Sequence, residues 1–304
     1  MTILVLIALS FSAAIAQGKS KFLGNVIGGS VPANFGNYWN QVTPENGGKW
    51  GSVQNSQNSF NWGEADVAYN WAKSNGAIFK YHTLVWGSQE PGWIGSLSND
   101  AKKTAVTAWI NAIKAHFSSI DLIDVVNEAL HAPASYREAL GGSGSTGWDW
   151  IVWAFTQARS AFPSAKLLIN EYGIINDSNE ARQYLEIINI LKSRNLIDGI
   201  GIQCHQFNVN SLSAASAKSV LDQLGAAGLP IYSSEFDANG NSEADQATIY
   251  QRIFPPIWEH SSVKGVTLWG YITGTTWKDG TGIVEQNGNE RQAMTWLKQY
   301  IASH

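Results

Sequence analysis

The chain has 304 residues, with 20 Lys and Arg against 24 Asp and Glu, a net charge of −4 and only 14% charged residues. That field is weak and of the wrong sign for a nucleic-acid surface, and a single cysteine, Cys204, excludes an internal disulfide. Fourteen tryptophans stand out; core filling accounts for most, and flat amphipathic platforms suited to sugar rings are the sharper reading of the others.

Residues 1–16 open the chain with an apolar run too short to span a membrane, closed by Ala14-Ile15-Ala16, which fits a signal-peptidase site. No Lys or Arg precedes the run. A cleaved secretory leader, and so a secreted protein, is expected; a buried N-terminal element is the alternative. From residue 17 the chain reads as one unit, without a linker, charge block or repeat.

Short β-like runs then alternate with helical patterns. Strands are expected at 22–29 and 40–44, with a short segment at 35–39 between them. A helix at 65–74 stops at Asn75-Gly76, and a strand follows at 78–86. Asp100 is expected to cap a helix over 101–117, before a strand at 122–127. A helix at 148–162 ends before Pro163 and leads to a strand at 166–171. Ser178 is expected to cap a helix over 179–194, within the sequon Asn176-Asp177-Ser178, before a strand at 199–204. A helix at 213–226 stops at Gly228, and a strand follows at 230–234. Ser242 with Asp245 resembles a capping box for a helix reaching His260, kinked or broken at Pro255-Pro256. A strand at 265–269 and a helix at 292–301 complete the pattern.

Eight such alternations predict a single closed (β/α)8 barrel over 17–304. An open doubly wound sheet is the rival, but Ile27-Gly28-Gly29-Ser30 lacks the glycine spacing of a phosphate loop.

Barrel chemistry sits at the C-terminal ends of the strands, and the polar residues gather there. They are Glu45, Asn46 and Lys49; His82, Trp86 and Gln89; Asn127 and Glu128; Asn170, Glu171 and Tyr172; Gln203 and His205; Glu235 and Asp237; and Trp269 with Trp277. Two carboxylates among stacking aromatics suit glycoside hydrolysis, where one acid protonates the leaving oxygen and one carboxylate faces the oxocarbenium-like carbon. Glu128 and Glu235 are the catalytic candidates. Glu171 is a similar strand-end acid taken as non-catalytic. Glu45 fits either a sugar hydroxyl or an ion pair with Lys49. His82 and His205 fit core, site or metal-ligand roles. There is no H-E-x-x-H and no Cys/His cluster at ligand spacing, so no metal or cofactor is expected.

In this order the motifs resemble glycoside hydrolase family 10, the (β/α)8 endo-β-1,4-xylanases. They are Thr43-Pro44-Glu45-Asn46 with Lys49-Trp50, His82-Thr83-Leu84-Val85-Trp86, and Asp124-Val125-Val126-Asn127-Glu128-Ala129. Gly199-Ile200-Gly201-Ile202-Gln203 leading to His205, Ser234-Glu235-Phe236-Asp237, and Trp269 eight before Trp277 follow. The resemblance implies Glu128 as acid/base, Glu235 as nucleophile and retention of configuration. It implies that Asn127 holds the 2-hydroxyl at the cleavage point, that His205 bonds Glu235, and that Asp237 orients His205. Lys49, His82, Trp86, Trp269 and Trp277 would surround that sugar, with Gln203 in support. Glu45, Asn46 and Gln89 would bind the next sugar, and Tyr172 would stack on the leaving-group side. The partners implied are xylan and xylo-oligosaccharides, acted on by a monomer.

The chain departs from the family pattern at Gly87, where a second His is usual, at Gly48, where Met is usual, and in the loop 270–277, which lacks an Asp. A retaining β-1,4-glucanase or mannanase and a non-catalytic sugar-binding barrel are the alternative readings.

Overall fold

The computed structural model describes residues 14–304. The expected leader lies almost wholly outside them. Ala16 is buried, and its carbonyl accepts a bond from Asn40.

Eight parallel strands close into a barrel in sequence order: β1 Phe22–Ile27, β2 Gln41–Pro44, β3 Ile78–Val85, β4 Leu122–Asn127, β5 Lys166–Glu171, β6 Gly199–Ile202, β7 Ile231–Phe236 and β8 Val263–Leu268. β8 pairs back to β1, Phe22 opposite Gly265. Nearly every strand residue is buried, as a sheet covered on both faces requires. The helices wrapping it are α1 Phe35–Tyr38, α2 Trp50–Val53, α3 Gly63–Asn75, α4 Asn99–His116, α5 Asp149–Ala161, α6 Ser178–Lys192, α7 Gln206–Val209, α8 Ala214–Gly225, α9 Glu243–Glu259 and α10 Gln292–Ser303. Among the described residues none is long and apolar enough to cross a membrane.

Several boundaries differ from the sequence reading. Ser98, not Asp100, caps α4, and its hydroxyl accepts from the Ala101 N–H. Asp177, not Ser178, caps α6, taking both the Asn179 and Glu180 N–H groups. Either residue of each pair is a good cap by type, and backbone conformation decides: the true caps are extended. α9 is unbroken through Pro255 and Pro256. β7 runs on to Phe236, so Glu235 is a strand residue and not a loop residue.

The barrel interior is layered. Phe22, Leu122, Leu168 and Tyr232 form an apolar cluster of their own, apart from the core beneath the helices. Gly265 leaves the space Phe22 fills, since a Cβ there would lie 2.3 Å from its ring. Buried polar residues lie beyond this layer, with Thr267 donating to Gln41 at 2.8 Å and Gln41 donating to Thr43 at 2.8 Å. Lys80, Asp124 and Asn170 carry that polar interior up to the strand ends.

Candidate active site

Glu235 is 4% exposed and almost encircled by donors. His205 Nε2 lies 3.0 Å from Oε2, and Asn170 donates to Oε1 at 2.7 Å. His82 Nδ1 lies 4.0 Å from Oε1. Burial alone would raise this carboxyl, but the His205 hydrogen bond and the charges of His82, His205 and Lys80 hold it down at about 2.

His205 follows β6, and Asp237 Oδ2 lies 3.1 Å from its Nδ1. With a carboxylate at each ring nitrogen the ring donates on both sides. Burial disfavours its charge, yet Asp237 and Glu235 outweigh burial and raise it to about 10. Asp237 is itself held by the Gln206 N–H at 2.6 Å and the Trp277 indole at 2.5 Å.

Glu128 stands one residue past β4, in the left-handed region at φ 55. That backbone is uncommon for a non-glycine residue and costs free energy that the surroundings must offset. Its N–H donates to the Asn170 carbonyl at 2.8 Å. Its carboxyl accepts from the Trp86 indole at 2.9 Å and from Gln203 at 2.9 Å. The two glutamates meet through amides. Asn170 Nδ2 donates to Glu235 and, at 2.8 Å, to Asn127 Oδ1, and Asn127 Nδ2 lies 3.4 Å from Glu128 Oε1. Ser234 donates to Asn170 Oδ1, and the Glu235 carboxylate, which can only accept, settles the amide's orientation.

A cavity of about 480 Å³ opens above this pair, lined by Glu45, Asn46, Lys49, His82, Trp86, Gln89, Asn127, Glu128, Tyr172, Gln203, His205, Phe207, Glu235, Trp269 and Trp277. Asp237 is absent from the lining because it stands behind His205. Lys49 donates to Asn46 at 2.8 Å and forms no ion pair with Glu45, so the Glu45 carboxyl is left facing the groove. Burial raises the Glu45 carboxyl, with Lys49 pulling partly against it. Glu171 is fully buried and outside the groove lining, and burial pushes it up to about 7 even though it takes bonds from His131 and the Leu130 N–H. A larger cavity of about 590 Å³ at the other end of the barrel has Asp121 as its only acid, so it offers no carboxylate pair.

One carboxylate held ionised, a second facing N–H donors, and indole walls around both can break a glycosidic bond by paired acid and carboxylate action. A family model, Glycosyl hydrolase family 10, matches residues 6–300. The chain belongs to glycosyl hydrolase family 10.

The chain is also similar to individual proteins. The chain is 38% identical over 282 residues to endo-1,4-beta-xylanase B of Cellvibrio japonicus, covering 91% of this chain but only 45% of that protein. It is 33% identical over 262 residues to endo-1,4-beta-xylanase A of Fusarium oxysporum f. sp. lycopersici, covering 81% of this chain and 80% of that protein. Xylanase 10B of Thermotoga petrophila in complex with xylobiose superimposes with a TM-score of 0.83 at 25% identity, over 95% of this chain and 96% of that one.

The departures from the family 10 pattern have local reasons. A Cβ on Gly87 would lie 2.2 Å from the Pro133 carbonyl oxygen, so the loop after Glu128 occupies the space of the usual side chain. A Cβ on Gly48 would lie 2.3 Å from the His82 carbonyl oxygen. The 270–277 loop still delivers Trp277, anchored on Asp237.

Four contributors carry no role in the sequence reading of the site. Asn170 links the two glutamates, and Phe207 lines the groove. Lys80 and Asp124 form a buried ion pair at 3.1 Å beneath it, with His82 Nδ1 2.9 Å from Asp124. The last two carried a signal: each is a lone charge inside an apolar strand, which burial tolerates only in a pair.

Proposed function

We propose that this chain is an endo-1,4-β-xylanase that cleaves internal β-1,4 bonds of xylan with retention, using Glu235 as nucleophile and Glu128 as acid/base. Residues 1–16 act as a leader directing secretion, and the enzyme acts as a monomer. The observation that carries it is the pairing of an encircled, ionised Glu235 with Glu128 through Asn127 and Asn170. The names of the Cellvibrio and Fusarium relatives support xylan as the substrate.

In the first step Glu235 attacks the anomeric carbon. The bond to the leaving oxygen breaks, and Glu128 gives that oxygen its proton. In the second step Glu128 takes a proton from water, which displaces Glu235 and releases the sugar. Trp86 and Gln203 aim the Glu128 carboxyl, and Asn127, beside Glu128 and linked to Glu235 through Asn170, suits the 2-hydroxyl.

The two variants separate the roles. Glu128→Ala should be crippled on xylan yet form the glycosyl-enzyme from a dinitrophenyl xylobioside, whose leaving group needs no proton. Azide, needing no base, should then speed turnover and give the β-glycosyl azide. Glu235→Ala, lacking the nucleophile, should give the α-azide by one inversion. NMR of the products decides, and the same anomer from both variants refutes the assignment.

A further inference from the structure

The turn that carries Glu128 is held from outside the groove. It closes with Ala132 N–H on the Glu128 carbonyl at 2.8 Å, and buried Glu171 of β5 accepts the Leu130 N–H at 2.8 Å. The other Glu171 oxygen takes the Tyr172 N–H at 3.0 Å and faces His131 Nδ1 at 3.0 Å. The second nitrogen of His131 lies 3.3 Å from Glu180 Oε1, in the first turn of α6. One ring therefore joins the Glu128 turn, the end of β5 and the start of α6.

That ring also lies against the groove wall. Its plane is 22° from that of Tyr172, with centroids 4.1 Å apart, and Phe207 packs nearly perpendicular to Tyr172 with centroids 5.7 Å apart. Tyr172 and Phe207 both line the groove, whereas His131 does not. Gly173 is required beside them. Its φ is +77, and a Cβ there would lie 2.2 Å from Glu180 Oε2 and 3.3 Å from the His131 ring. A tyrosine that lines the groove with one face stacked on a pinned ring has little freedom left to lose when a sugar settles on it, which strengthens binding.

We propose that His131 is a positioning residue that stacks beneath Tyr172 and makes it a rigid platform for the sugar on the leaving-group side, so that residue 131 sets how far cleavage depends on that sugar. This rests on the xylanase reading above. The bonds to Glu171 and Glu180 hold the ring, and the ring holds the tyrosine.

The test compares xylotetraose, whose leaving group is a sugar, with 2,4-dinitrophenyl β-xylobioside, whose leaving group needs neither platform nor proton. His131→Gln keeps a donor for Glu171 but removes the ring. It should lower kcat/KM on xylotetraose about tenfold, mainly through KM, the size expected of one lost aromatic pair. Its rate on the aryl substrate should stay within about twofold of wild type. His131→Phe keeps the ring but leaves two carboxylates without their partner. It should melt at a lower temperature yet stay closer to the wild-type ratio between substrates than His131→Gln does, a split that a purely stabilising role does not produce. Equal effects of His131→Gln on both substrates, or a loss of the ratio in His131→Phe as large as in His131→Gln, overturn the role of His131. A wild-type enzyme that turns over neither substrate overturns the xylanase reading and this inference with it.

Discussion

Asp124 balances the buried Lys80 cation and bonds the His82 ring. Its carboxylate meets Lys80 at 3.1 Å and His82 at 2.9 Å, and Asp124 and Lys80 are no more than 1% exposed. Removing one partner of such a pair leaves a charge in a low-dielectric interior, so Asp124→Ala should cost about 3–5 kcal/mol in urea denaturation. A loss below about 1 kcal/mol would show that the interior tolerates the Lys80 charge without it. At His205 the expected effect is on chemistry. Without its hydrogen bond and charge, burial acts less opposed on Glu235 and raises that carboxyl. The acidic limb of kcat/KM in His205→Ala should therefore move up by more than about one pH unit, and an unmoved limb would break the link. Most of these groups were legible as polar strand ends, His205 and Glu235 included. Asn170 was visible but unassigned, because an amide in a strand end names no partner until the neighbouring strand is placed.

At the scale of elements, caps separate what residue type predicts from what the backbone selects. Asp177 takes two N–H groups, at 2.8 and 3.1 Å, so Asp177→Ala should cost about 1 kcal/mol. Ser178→Ala and Asp100→Ala should each stay within about 0.5 kcal/mol. Denaturant midpoints of the three variants check this, and a large loss at Ser178 would move the cap back. Strand cores were readable from their apolar runs, and β4 and β5 match their expected limits residue for residue. The ends of β6, β7 and β8 were not, since pairing decides where a strand stops. Gln203 follows the last strand residue of β6, while Glu235 stays within β7.

For the whole molecule, the buried His205–Glu235–Asp237 group links stability to pH. His205 holds its proton more tightly folded, at about 10, than at its ordinary 6.5. Its contribution is therefore full below about pH 6.5 and lost as pH rises through about 10. Glu235 is depressed from 4.5 to about 2, so its contribution is full above about pH 4.5 and lost as pH falls through about 2. The contributions of these two groups are both full between about pH 4.5 and 6.5. Melting temperatures at pH 5.5 and 9.5 test this. His205→Asn should flatten the alkaline loss, and an equal loss in the variant would assign it to other groups.

The sequence by itself determined the alternation of strands and helices, the crowding of polar residues at strand ends and the ordered motifs of family 10. Each depends on local pattern, on periodicity and on residue type. Closure of β8 onto β1, the bridge from Glu235 through Asn170 and Asn127 to Glu128, and the seating of the Glu128 loop on Gly87 were decided only by the tertiary structure. Barrel curvature and strand register bring together residues far apart in the chain, and whether a carboxylate acts or only supports depends on which donors that register sets around it. Glu171 and Glu235 illustrate this: both are buried acids near strand ends, one bonded to the loop behind the site and the other facing the groove.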